Sequence, residues 1–110
     1  MSTPSERPLV GQVVTVFRNR LRPENVEAYA DELAVVAELA RGMPGFVETK
    51  TFTSEDGERA TIVTFADPET HAAWRDHPRH REAKRHGAES YYSEYSIAVG
   101  ETTYASSFTR

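Results

Sequence analysis

Residues 46–66 read FVETKTFTSEDGERATIVTFA. Phe46 to Thr53 and Arg59 to Ala66 are short runs rich in β-branched and aromatic residues, separated by Ser54-Glu55-Asp56-Gly57-Glu58. An Asp-Gly pair readily supplies the positive φ that a tight turn needs, so the stretch predicts two antiparallel strands joined as a hairpin. Directly after it, Asp67-Pro68-Glu69 has the form of a helix start, with Asp as N-cap and Pro at the first helical position. That helix is expected to run to about His77, to restart at Pro78 and to stop at Gly87.

Working outward, Leu9 to Leu21 (LVGQVVTVFRNRL) predicts an earlier strand, ended by Arg22-Pro23-Glu24. Asn25 to Arg41 predicts a helix, because Val26, Tyr29, Ala30, Leu33, Val36, Ala37 and Ala40 recur at the spacing of one helical face. Glu24, Glu27, Asp31, Glu32 and Glu38 are expected mostly on the opposite, solvated side. Gly42 ends this helix and Pro44 prevents its resumption. Tyr91 to Glu101 predicts a last strand. The order β-α-β-β-α-β is the ferredoxin-like α+β arrangement, a four-stranded antiparallel sheet with its helices on one face. The domain is expected over residues 9–101, with a loose arm at 1–8 and a polar tail at 102–110.

A sheet covered on one side should be apolar on that side only. Here Val14 and Val16 oppose Val13 and Phe17 across the first strand, and Ile62 opposes Val63 and Phe65 in the third. In the second, Phe46 and Phe52 are expected to oppose Val47. Helices on one face leave the other apolar surface bare, and the simplest cover is a second copy, so a homodimer through sheet faces is expected.

The chain has no cysteine, which excludes disulfides, thiolate metal sites and a Cys nucleophile. Its net charge of -4 speaks against a nucleic-acid partner, whose phosphates want a basic surface. No apolar run approaches membrane-spanning length, and the polar start has no apolar signal region, so a cytoplasmic protein is expected. Glycine-rich phosphate loops, dinucleotide fingerprints and nucleophile elbows are absent.

A few residues remain that can carry chemistry. Asn19 ends the first strand between two arginines, where its amide either donates to a ligand oxygen or satisfies the loop backbone. Trp74, the single tryptophan, is either core or the wall of a flat ligand. His71, His77, His80 and His86 cluster on the second helical region. His77 and His80 are three apart, but Pro78 lies between them and no third ligand completes a metal set, so no metal site is expected. A histidine there is the natural base near neutral pH. Tyr91 and Tyr95 are expected on one face of the last strand and Tyr92 on the other.

These segments together resemble the antibiotic biosynthesis monooxygenase family of the dimeric α+β barrel superfamily. The resemblance rests on Phe17 to Pro23, Met43 to Phe46, Glu55 to Arg59, Ala73 to His80 and Tyr91 to Tyr95. It implies a dimer with a pocket in each subunit between helices and sheet. Characterised members oxygenate polyketide anthrones and quinols without metal or flavin, and relatives degrade haem. The anthrone oxygenases carry an Asn and a Trp on and just after the third strand, where Thr61 to Asp67 has neither. The haem-degrading members carry an Asn on the first strand, a Trp on the second helix and an iron-ligating His about three turns later. Asn19 and Trp74 resemble the first two, and the third position falls near Lys84, with His80 and His86 on either side.

The resemblance thus implies a cofactor-independent monooxygenase of an aromatic, polyketide or quinol-like small molecule. Asn19 would bind a substrate oxygen, Trp74 would line the pocket, and His77 or His80 would serve as base. Haem binding or degradation, and a non-catalytic dimer that binds a small ligand, are the alternatives.

Overall fold

The computed structural model describes residues 7–110, so the arm expected at 1–8 lies outside the described residues up to residue 6. Four strands, β1 (Val13–Leu21), β2 (Phe46–Thr53), β3 (Arg59–Phe65) and β4 (Tyr92–Glu101), form one antiparallel sheet in the order β2-β3-β1-β4. Helices α1 (Val26–Arg41), α2 (Pro68–Arg75) and α3 (Pro78–His86) lie on one face, and a π-helical turn, Gly87–Tyr91, leads from α3 into β4. The expected ferredoxin-like α+β arrangement is the one observed. None of these helices is long and apolar enough to cross a membrane.

Local chemistry sets most of the boundaries. Asp67 caps α2, its carboxylate accepting from the Thr70 amide at 2.8 Å, and Pro68 occupies the first turn. His77 does not end α2. It caps α3, its Nδ1 accepting from the Arg79 amide at 3.1 Å. β1 starts four residues later than the pattern suggests, because Val10 and Gly11 turn, with the Gln12 amide donating to the Leu9 carbonyl. Gly45 takes φ +80° where a Cβ would meet Thr70 at 2.4 Å, so only glycine lets this turn press against the start of α2.

Two bulges move side chains that simple alternation misplaces. The β2 register shifts between Phe46 and Glu48. Phe46 therefore packs edge-on to Phe65 under the helices, while Phe52, opposite Ala60, lies on the other face, half exposed. In β4 the register shifts opposite Arg20 and Leu21. Tyr92 and Tyr95, expected on opposite faces, consequently share the helix side, with ring centroids 6.0 Å apart.

The helix-facing side carries Val13, Thr15, Phe17 and Asn19 of β1 and Phe65, Val63, Thr61 and Arg59 of β3. The core is small and sits at one end. Ala40, Phe65 and Trp74 are buried there, with Val36, Met43, Phe46 and Val63 packed around them. The opposite face carries Val14, Val16, Ile62, Ala98 and Phe52 with no helix over it.

Glu32, expected among the solvated acids of α1, is buried. Its carboxylate accepts from Arg79 Nη1 at 2.5 Å, His86 Nδ1 at 2.9 Å and Tyr91 Oη at 2.7 Å, tying α1 to α3 and the π-helical turn. Burial by itself raises a carboxyl's pKa, but the donors Tyr91, Arg79 and His86 outweigh it and hold Glu32 down to about 2. A carboxyl held below its ordinary value of 4.5 stabilises the fold fully above that pH and loses its contribution as pH falls toward 2. Glu32→Gln should therefore cost about 2 kcal/mol at neutral pH, the scale of hydrogen bonds to a charged group. Urea unfolding of both proteins should show the gap narrowing through about pH 3, as the wild-type carboxyl takes up its proton. A gap that stays constant down to about pH 2 would contradict this.

Candidate functional site

The space between the helices and the middle of the sheet is not packed solid. Thr15, Phe17, Thr61 and Val63 lie on the covered face of the two central strands, yet each is only half-buried. On α1, Tyr29 and Ala40 are 8% and 5% exposed, but Leu33 is 41% exposed. At 3.6 residues per turn, Leu33 lies within about 40° of Tyr29 and about 20° of Ala40, so it points toward the sheet as they do. Leu33 is thus left uncovered between two seated residues, and we read the uncovered strip along β1 as a slot. On its open side it continues onto Tyr95, Ile97 and Val99 of β4, each about half exposed.

One end of the slot is polar. Asn19 is 1% exposed, and neither its Nδ2 nor its Oδ1 has a hydrogen-bond partner among the described residues. The loop-satisfying role that a strand-end Asn often plays is thus not what this amide does. Leaving such a group unpaired costs about 1–3 kcal/mol, so it needs a reason. Arg59 is its cross-strand partner and donates to Tyr29 Oη at 2.5 Å, with its guanidinium 5.1 Å from the Tyr29 ring centroid. Aromatic rings surround this end: Phe17 meets Tyr92 at 5.2 Å and Tyr95 at 5.7 Å, and Tyr29 meets Tyr92 at 5.8 Å. Burial, and next the neighbouring Tyr29, raise the Tyr92 pKa, so this phenol stays protonated.

The other end holds aromatic and imidazole rings. Trp74 is 5% exposed and stacks on Phe65 at 6.5 Å and on His80 at 4.2 Å. His80 Nδ1 lies 3.0 Å from the Trp74 carbonyl, which can only accept, so Nδ1 carries the proton and Nε2 keeps its lone pair. Burial pushes the His80 pKa down to about 4, and the bond to Trp74 restores only part of it, leaving a neutral imidazole at pH 7. His77 is spoken for, since its Nδ1 accepts the Arg79 amide in the α3 cap. His71 lies near Thr15, with 3.5 Å between Nε2 and Oγ1. His86 is turned onto Glu32 at 2.9 Å and has Glu82 at 3.8 Å.

The structure therefore brings Trp74, His77 and His80 together and places Asn19 apart from them. Asn19 pairs with Arg59, six residues along β3 from Phe65, on which Trp74 stacks. That is about 20 Å of strand. Helix α3 spans the interval, because Arg79 reaches Glu32 one turn along α1 from Tyr29 while the adjacent His80 stacks on Trp74. Sequence reading missed Arg59, Tyr29 and Glu32. Arg59 was recoverable, because it sits directly opposite Asn19 once the hairpin and first strand are aligned. Among the described residues no group of three His, Asp or Glu side chains is placed to hold a metal ion.

The profile of a family described as antibiotic biosynthesis monooxygenase matches residues 12–86. No curated protein matches the chain in sequence. Solved structures share the fold at low identity. A mutant form of SnoaB, a cofactor-independent oxygenase from Streptomyces nogalater, superposes with a TM-score of 0.72 at 14% identity, over 86% of this chain and 96% of that one. Rv0793 from Mycobacterium tuberculosis gives 0.74 at 18% identity, over 87% and 99%. A conserved protein from Methanosarcina mazei Go1 gives 0.75 at 12% identity, over 86% and 95%. With the family profile spanning most of the chain and the same fold along its length, this chain belongs to the antibiotic biosynthesis monooxygenase family.

Proposed function

We propose that the chain is a cofactor-independent monooxygenase of an aromatic, polyketide or quinol-like small molecule, bound in the slot with one oxygen on the Asn19 amide. The buried, unpartnered Asn19 carries this reading. A buried amide with neither polar atom partnered among the described residues is a preformed donor for a ligand oxygen. Family membership supports a monooxygenase in general, and the aromatic walls of the slot support a ring-bearing substrate.

The chemistry asks little of the protein. A deprotonated, electron-rich phenol is itself the reductant of dioxygen. One oxygen atom of dioxygen becomes a carbonyl at the reacting ring carbon and the other leaves as water, which carries away the phenolic proton taken by the base and that carbon's hydrogen. Asn19 would hold a substrate oxygen at the end of the slot away from the base. His80, with Nε2 unprotonated, is the better placed base, since His77 Nδ1 is occupied. Its low pKa in the empty protein makes it a weak base, but a phenolate formed beside it would stabilise the imidazolium. Trp74, closed off between Phe65 and His80, would hold the base rather than touch the ligand.

The haem alternative is less favoured because the position indicated by haem-degrading relatives is the exposed Lys84, not a histidine; of the flanking histidines, His86 is turned onto Glu32, and His80 keeps a free Nε2 but is stacked on Trp74.

Oxygen uptake by the metal-free protein, measured with a panel of quinols and anthrones, tests the proposal. Labelled dioxygen should place one labelled atom in the product. His80→Gln should lower kcat about 100-fold, the scale of lost general-base catalysis, with the fold retained. No uptake with any member of the panel, together with a sharp Soret band on adding haem, would reject it.

The same reading takes the bare sheet face as the contact with a second copy. Val14, Val16, Ala98 and Gly100 line a shallow depression there, and Phe52 is half exposed nearby. Charged pairs flank this surface, Arg18 with Glu58 at 2.8 Å and Arg20 with Asp56 and Glu94 at 2.8 Å each. An apolar centre with a polar rim is the anatomy of a dimer interface. Sedimentation equilibrium should give twice the chain mass for the wild type and a monomer for Val16→Lys. A wild-type monomer at about 100 μM, where even a weak dimer populates, would contradict this.

A further inference from the structure

We infer that the Asn19–Arg59 end of the slot is a subsite for a carboxylate carried by the aromatic ligand. The inference rests on the slot being the ligand site and names what its polar end selects.

Arg59 begins β3 on the covered face, directly across from Asn19. Cβ atoms of such pairs are about 5 Å apart, so one small group can touch both side chains. Arg59 is half-buried, and its one described hydrogen bond goes to a neutral phenol, Tyr29. No carboxylate of the described residues forms an ion pair with it, whereas on the neighbouring strand Arg18 holds one and Arg20 two, each at 2.8 Å. A chain of net charge -4 has acids to spare, yet keeps them from this guanidinium. Contact with Tyr29 fixes the guanidinium plane while leaving most of its N–H donors unused.

Next to it, the Asn19 amide is buried with its NH2 unpartnered. A planar carboxylate matches the fork of a guanidinium through two parallel hydrogen bonds, and a third donor from Asn19 would complete the set. A neutral hydroxyl or ketone would engage one donor and leave the guanidinium's charge uncompensated. Tyr92, Phe17 and Tyr95 stand beside the pair, so the ring system bearing the carboxylate would lie against aromatic walls. The Tyr92 phenol, kept protonated chiefly by its burial, supplies no anion at this end.

Fluorescence titration with anthracene-2-carboxylate and with 2-(hydroxymethyl)anthracene, the same rings with and without the charge, tests this. The wild type should bind the carboxylate about tenfold more tightly than the alcohol, and Arg59→Gln should abolish that preference. Far-UV circular dichroism and a cooperative urea transition report whether the variant is folded. Should Arg59→Gln fail to fold, the wild-type ratio and its loss in Arg59→Lys, which keeps the charge and removes the fork, decide the matter. Equal binding of both probes by the wild type would overturn the carboxylate subsite and leave the aromatic slot standing. Binding of neither would overturn both. A preference that survives Arg59→Gln would overturn the assignment to Arg59.

Discussion

The helical layer of this protein depends on one buried carboxylate. Glu32 receives hydrogen bonds from Arg79, His86 and Tyr91 and so draws α3 and the π-helical turn onto α1. Apolar contact alone does not do this, since α3 has no fully buried residue. The cluster fixes α1 by its flank, the core at Ala40 seats one end, and Tyr29 against Arg59 seats the other. Leu33, in the middle of the helix, is left uncovered. A buried ion cluster is an expensive way to hold helices together, and hydrophobic packing of the same volume often does as well. Here packing that region solid would fill the slot.

The slot then separates two kinds of chemistry along one strand pair. At the Phe65 end, stacked rings bury His80 and hold it neutral, with a single lone pair left. At the Arg59 end, the buried Asn19 amide has no partner among the described residues, and the one described hydrogen bond of Arg59 goes to the Tyr29 phenol. A ligand that reaches both must be extended and flat, with oxygen at one end. That description agrees with the substrates proposed from family membership, but it is reached from side-chain geometry alone.

Much of the fold was legible in the sequence because local rules decided it. The Asp-Gly hairpin, the Asp67-Pro68 helix start and the Gly42 stop each depend on a few adjacent residues. The misreadings came where distant partners decided. Two bulges reversed faces assigned by strict alternation, putting Phe52 outside and Tyr92 inside, and a bulge has no reliable single-sequence mark. Glu32 looked like a surface acid because its cations lie on another helix; the basic run HPRHREAKRH was the available hint. Of the candidate site, Asn19, Trp74 and His80 were visible as residue types, but the distance between Asn19 and the Trp74 stack was not. That distance follows from the β1–β3 register, which sets residue 19 against 59 and residue 13 against 65.

The account turns on whether Asn19 is kept for a ligand or for the fold. The direct measurement is urea unfolding of Asn19→Leu, an apolar side chain of similar size, beside the wild type. If the amide makes no bond within the protein, its removal relieves a desolvation cost, and the variant should be as stable as the wild type or more stable by about 1 kcal/mol. A loss of about 2 kcal/mol or more would mean that Asn19 serves the fold, and the central claim would fall.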